Sequence, residues 1–163
     1  MLTEKEKRLH RVCFTGHRPE KLHRAKPEIV KDLKKEILCA VDEGFNVFIS
    51  GMARGVDIWA AEIVLQLRAD GKDIRLICAC PYKGFEENWN IYWRIKYRAV
   101  LKAADYIKYV CAGYGRGCFQ TRNEWMVDHA ARVIAVFNGE KSGTANTVRY
   151  AAATGVKTVF IRG

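Results

Sequence analysis

Ser50-Gly51-Met52-Ala53-Arg54-Gly55-Val56-Asp57 gathers a hydroxyl, two glycines, a guanidinium and a carboxylate within eight residues. An apolar run, Phe45 to Ile49, precedes it, and a helix-like segment, Ile58 to Arg68, follows. Strand, tight glycine turn and helix start, in that order, make an anion-binding corner. The first N–H groups of a helix have no acceptor within it, and its dipole places partial positive charge there. Glycine lets a ligand approach the backbone without a Cβ in the way. The spacing matches neither G-x-G-x-x-G nor the P-loop, because no Gly-Lys-Ser/Thr follows. Two more corners share the design. Thr15-Gly16-His17-Arg18-Pro19 follows Val12-Cys13-Phe14, and Arg18 offers a planar fork for phosphate or carboxylate. Asn138-Gly139-Glu140-Lys141-Ser142-Gly143-Thr144-Ala145-Asn146 follows Val133 to Phe137 and opens another helix. Glycines after strands are also ordinary turn punctuation; three corners of matching chemistry favour a ligand site.

The elements that must position these corners alternate regularly. Strand-like runs fall near Val12–Thr15, Asn46–Ser50, Arg75–Ala79, Tyr106–Val110, Arg132–Phe137 and Val156–Ile161. Helical patterns fall near Glu28–Gly44, Val56–Asp70, Asn90–Ala104, Cys118–Ala131 and Thr144–Thr154, with Gly44, Gly71 and Gly155 as C-terminal stops. This alternation predicts one doubly wound α/β domain over residues 1–163, with a mainly parallel sheet and helices on both faces. Residues 1–11 read as a charged N-terminal extension. In such a sheet all three corners fall at the carboxyl edge, where ligands bind at the switch in strand order.

At 163 residues and 49% hydrophobic content the chain is long enough for one substantial core. No apolar run approaches the roughly 20 residues of a membrane helix. The start, Met1 to Arg8, lacks the apolar core of a signal peptide, so a cytoplasmic location is expected. Six cysteines then read as thiols: Cys13, Cys39 and Cys78 as core residues, Cys80, Cys111 and Cys118 as neighbours of the ligand edge. Nothing shows zinc-ligand spacing, and no metal is expected. Lys and Arg number 28 against 18 acidic residues, a formal charge of +10 that steers phosphate-bearing partners. Arg94, Arg98 and Lys102 form one basic ridge, and Lys21, Arg24, Lys26, Lys31, Lys34 and Lys35 a second basic stretch. Both read first as solvated helix faces, with a nucleic-acid groove as the alternative.

The corner at 50–57 resembles the glycine loop of the SLOG superfamily, which includes LOG-type phosphoribohydrolases and the DNA-processing protein DprA. The YpsA-like branch is the nearer resemblance. It is carried by Cys13-Phe14-Thr15-Gly16-His17-Arg18-Pro19-Glu20, Pro81-x-x-Gly84-x-Glu86-x-x-Trp89, Arg122-Asn123-x-Trp125-Met126-Val127-Asp128 and Gly143-Thr144-Ala145. The resemblance runs from about residue 12 to the end. It implies a Rossmann-like fold and a site for a nucleotide or ADP-ribose-like ligand, with no particular reaction and no further cofactor. LOG-like relatives pair through helices, which leaves a homodimer open.

Two departures matter. LOG-type enzymes carry Pro-Gly-Gly-x-Gly-Thr-x-x-Glu with a catalytic glutamate. Here Asn146 and Thr147 follow Gly143-Thr144-Ala145, and an amide holds a ribose hydroxyl or base edge but is no general base. Phe85 stands where a polar residue is expected beside Glu86, and packing is its expected role.

On this reading the backbone at Gly16, Gly51 and Gly143, with the hydroxyls of Thr15, Ser50 and Thr144, would cradle phosphate oxygens, and Arg18 would neutralise them. His17 would contact ligand or close its turn. Asp57 would bind a ribose hydroxyl or favour its helix N-terminus. Arg54, Gly55, Glu86 and Asn146 complete the ligand-binding candidates, and Glu86 and Asp57 are also the first candidates for a general acid or base. Arg122 and Asn123 reach towards the cleft from a helix whose Phe119, Met126 and Ala130 suggest a buried stripe. Trp89 is the candidate base-stacking wall among tryptophans otherwise expected in the core. Three functions follow: a nucleotide-binding sensor or regulator, a hydrolase of a nucleotide's glycosidic or phosphate bond, and a DprA-like single-stranded DNA binder.

Overall fold

A computed structural model describes all residues, 1–163. Six strands, β1 (Arg11–Gly16), β2 (Val47–Ser50), β3 (Arg75–Cys80), β4 (Tyr106–Tyr109), β5 (Arg132–Phe137) and β6 (Lys157–Arg162), form one sheet in the order β4-β3-β2-β1-β5-β6. Every pairing is parallel, so the mainly parallel sheet expected from the sequence is wholly so. The connecting helices are α2 (Lys26–Asp42), α3 (Val56–Ala69), α4 (Ile91–Ala103), α5 (Cys118–Asp128) and α6 (Gly143–Thr154). A short α1 (Glu4–Arg8) precedes them.

The strand order dictates which helix covers which face. From β1 the chain steps outward through β2, β3 and β4, and right-handed crossovers place α2, α3 and α4 on one side. It then returns past β1 to β5 and β6, so α5 and α6 lie on the other. Alternation along the strands serves both layers. Val12 and Phe14 join a 26-residue core with Ile29, Leu33, Ile58, Val64 and Tyr97, whereas Cys13 joins a 10-residue core with Met126, Val127, Ala130 and Ala151. α3 lies centrally between α2 and α4, and Val56 to Ala61 are all buried.

Several boundaries differ from the sequence reading by a residue or more, some of them for clear local reasons. α2 starts at Lys26 because Pro27 occupies the first turn, where its missing N–H costs nothing. α5 stops at Asp128, and His129 N–H closes its last turn on Trp125 O and Met126 O. The charged first eleven residues are partly structural: Arg11 begins β1, and Arg8 Nε donates to Ala130 O at 3.0 Å.

Candidate functional site

The chain reverses its direction of travel across the sheet at β1, whose neighbours are β2 and β5. β1 and β5 run side by side to Gly16 and Val136, and a crevice opens where their carboxyl ends diverge. It forms a cavity of about 360 Å³ lined by Thr15, Gly16, His17, Arg18, Lys21, Ala53, Asp57, Phe119, Arg122, Asn123, Ser142, Gly143 and Thr144. All three glycine corners thus contribute to one site.

The first and third corners are tied by His17. Its Nε2 accepts the Asn138 N–H at 3.2 Å and its ring stacks on Phe137 at 5.7 Å. An accepting Nε2 places the ring proton on Nδ1, and burial lowers the imidazole's pKa below its ordinary value. Asn138 also donates from Nδ2 to Lys21 O at 3.0 Å. At the third corner the Ser142 hydroxyl caps α6 by accepting the Ala145 N–H at 3.1 Å. The N–H groups of Gly143 and Thr144 remain without an acceptor inside the helix, at the positive end of its dipole.

The second corner is the most internally bonded. Ser50 Oγ donates to Asp57 O at 2.8 Å and accepts Met52 N–H at 3.2 Å. Met52 adopts a φ of +61°, unusual for a side-chain-bearing residue. Asp57, in the first turn of α3, accepts Ala53 N–H through Oδ2 at 3.2 Å and so braces the turn that precedes its helix. Asp57 is 5% exposed, and its Oδ1 has no hydrogen-bond partner in the protein. Burial pushes its pKa up to about 6 against the opposing pull of the Arg122 guanidinium and the Ala53 N–H. Arg122 enters from α5, donating from Nη1 to Gly51 O and from Nε to Asn123 Oδ1 at 2.8 Å. Gly55, at φ +91°, packs so closely on Pro19 that a Cβ there would lie 2.8 Å from Pro19 Cδ.

Thr15, Gly16, His17, Arg18, Asp57, Gly143 and Thr144 line the crevice together. Ser50, Gly51 and Gly55 stand behind it and shape the second corner. Three candidates lie elsewhere. Arg54 pairs with Glu20 at 3.1 Å, Glu86 pairs with Arg98 at 3.4 Å, and Asn146 accepts from Arg149 Nη1 at 3.1 Å. Glu86 follows β3, two places from β1, and is not among the residues lining the crevice. Lys21 and Ser142 were legible only as a charge in a basic stretch and a residue of a turn, yet both line the crevice.

Two aromatic readings change. Phe85 is packed, 4.9 Å edge-on from Trp89, and Trp89 packs on Tyr97 at 5.3 Å, so Trp89 is part of a cluster and not of the cavity wall. Phe119, expected in a buried stripe with Met126 and Ala130, lies in the first turn of α5 beyond the strand ends and lines the crevice instead. Near it, Cys118 Sγ donates to Pro81 O at 3.2 Å, and Cys111 N–H donates to the same carbonyl at 2.8 Å. The basic stretches are dispersed. Lys31, Lys34 and Lys35 face solvent on α2, Lys26 sits over Trp59 at 5.3 Å, and Arg24 pairs with Asp32 at 2.9 Å. No helix is long and apolar enough to cross a membrane.

A parallel sheet with a polar, glycine-cornered crevice at its switch point defines a Rossmann-like α/β domain. The model of the YspA SLOG family matches residues 12–158, and the chain belongs to that family. The SPbeta prophage-derived protein YoqJ of Bacillus subtilis is 34% identical, the match covering 78% of this chain and 84% of YoqJ. A UPF0398 protein of Halalkalibacterium halodurans is 28% identical over 82% of this chain and 75% of its own length. Among solved structures, DNA processing protein A of Helicobacter pylori superposes with a TM-score of 0.68 at 21% identity, over 98% of this chain and 68% of that one. The Streptococcus pneumoniae protein of the same name gives 0.68 at 19%, over 95% of this chain and about half (51%) of its own. At these identities the two structures attest the shared fold.

Proposed function

We propose that the crevice binds a nucleotide or nucleotide-derived ligand, an ADP-ribose-like molecule included, and that the protein acts as a sensor or regulator. The observation that carries this reading is Asp57 Oδ1, a buried acceptor without a donor in the protein, in a cavity otherwise rich in donors for anions. Arg18, Lys21 and the free N–H groups of α6 suit phosphate oxygens. A carboxylate beside them repels phosphate but accepts a hydroxyl proton, and ribose phosphate presents both groups a few bonds apart.

Thermal-shift titration with AMP, NAD, ADP-ribose and a short single-stranded DNA tests this. A ligand at 100 times its Kd adds about 2.7 kcal/mol, which at roughly 2–4 °C per kcal/mol is a rise of several degrees. Asp57→Asn should reduce the shift with ribose-containing ligands while leaving inorganic phosphate binding unchanged. A shift with DNA alone, collapsing steeply with salt, would refute the nucleotide reading; the Helicobacter pylori relative is described with a single-stranded DNA binding mode.

A second reading is hydrolysis. Asp57 is the one carboxylate lining the crevice, and a pKa of about 6 suits a general base at neutral pH. Product formation by wild type, lost in Asp57→Asn with binding retained, would establish it.

A further inference from the structure

Beside the cationic and backbone donors the crevice is lined by one phenyl ring, Phe119, and an aromatic cluster extends from that ring outward from the cavity. Phe119 lines the cavity and is 36% exposed, and Tyr114 is 78% exposed in the loop between β4 and α5. Tyr82 bridges them, 5.7 Å edge-on from Tyr114 and 6.5 Å from Phe119 with the rings tilted by 42°. Phe85, 8% exposed, backs Phe119 at 5.6 Å and Tyr82 at 5.7 Å, so the wall is supported from behind. Tyr114 sits between Gly113 and Gly115, and nothing lies within 4 Å of where either glycine's Cβ would stand. Its ring thus stands between two glycines whose surroundings are open.

Exposed rings at the mouth of a polar cavity leave apolar surface in water that a flat apolar partner would cover. We propose that Phe119, Tyr82 and Tyr114 form the base subsite of this crevice: the heterocycle stacks on Phe119, and Tyr114 closes against its outer side. The inference rests on the nucleotide reading above and adds which end of the ligand goes where. Stacking uses the π-face that every base has, so the subsite is tolerant of base identity. Discrimination among bases would then come from polar groups at the rim.

Isothermal titration with AMP, GMP, CMP, UMP and ribose 5-phosphate tests the assignment. Wild type should bind at least one mononucleotide about five-fold or more tighter than ribose 5-phosphate. Phe119→Ala should weaken that nucleotide by about 5- to 150-fold and leave ribose 5-phosphate unchanged, with Phe119→Tyr restoring most of the loss. Tyr114→Ala, at a position 78% exposed, should act in the same direction. Equal affinities for nucleotide and ribose 5-phosphate in wild type, or equal weakening of both by Phe119→Ala, would overturn the base subsite and leave the phosphate-and-ribose reading standing. No binding by any of the five would overturn both. The same base-and-phosphate chemistry is carried by single-stranded nucleic acid, so a short oligo(dT) is titrated in parallel. Binding that is tighter than UMP and falls steeply with salt assigns the rings to a strand and overturns the mononucleotide assignment; salt-insensitive preference for the mononucleotide supports it.

Discussion

Asp57 and Arg122 face each other across the α-carbon of Gly51: a methyl group at that carbon would lie 3.0 Å from Asp57 Oδ2 and 3.1 Å from Arg122 Nη1. Both side chains are 5% exposed, and no hydrogen bond joins them directly. Gly51 O accepts the Arg122 guanidinium while Asp57 braces Ala53 N–H, so one turn holds a buried cation and a buried anion at its two sides. Gly51→Ala should therefore act as a wedge. Overpacking of this kind costs about 1–3 kcal/mol, and the expected result is a Tm lower by several degrees with loss of ligand binding. Unchanged Tm in calorimetry would mean that Arg122 moves aside freely.

Arg122→Met removes the charge that restrains Asp57. Breaking one side of a buried charge pair costs on the order of 3–5 kcal/mol. The loss has a defined pH dependence. Without Arg122 the Asp57 pKa in the folded state moves further above its unfolded value, and a raised carboxylate pKa penalises the fold as it ionises. Stability of the variant should fall from pH 5 to pH 8 more steeply than that of wild type. Urea midpoints at both pH values measure this. Adding Asp57→Asn should recover part of the loss at pH 8, and strict additivity of the two changes would refute the coupling.

The architecture was legible because strand and helix periods alternate without interruption, and because the corners carry glycine where β-strands end. The crevice's far wall was less so. Arg122 and Phe119 are three residues apart on one helix, yet the first is buried as a charge and the second is exposed as a ring. General patterning gives charge to the surface and rings to the core; the sequence reading places Arg122 at the cleft, where it lies, and Phe119 in a buried stripe, where it does not. What reverses the general pattern is the position of α5's first turn over the strand ends, a consequence of sheet order that no local period encodes. Glu86 follows a strand, as the three corners do, but β3 lies two places from the switch point, and Glu86 does not line the crevice.

Ligand affinity should titrate with Asp57. If the ionised carboxylate accepts a ribose hydroxyl, protons compete with the ligand below a pKa of about 6. Lowering the pH from 7 to 5 reduces the ionised fraction about tenfold, and apparent affinity falls by the same factor. Titration with ADP-ribose at the two pH values checks this, with Asp57→Asn as the control whose residual affinity should be flat across the range.

His17 should give stability the opposite slope. Its Nε2 accepts the Asn138 N–H, a bond that the protonated ring cannot accept, and burial lowers its folded pKa below the unfolded value. Between those two values the unfolded chain binds the additional proton. Stability from this group is therefore complete above about pH 6.5 and is lost as the pH falls towards the folded pKa. His17→Gln offers an acceptor oxygen near the Nε2 position without a titrating ring. The variant should lose some stability at pH 7.5 through the missing stack on Phe137, and the gap to wild type should narrow at pH 5.5. A gap that widens on acidification would show that His17 is protonated in the folded protein and that the tie between the first and third corners is made in another way.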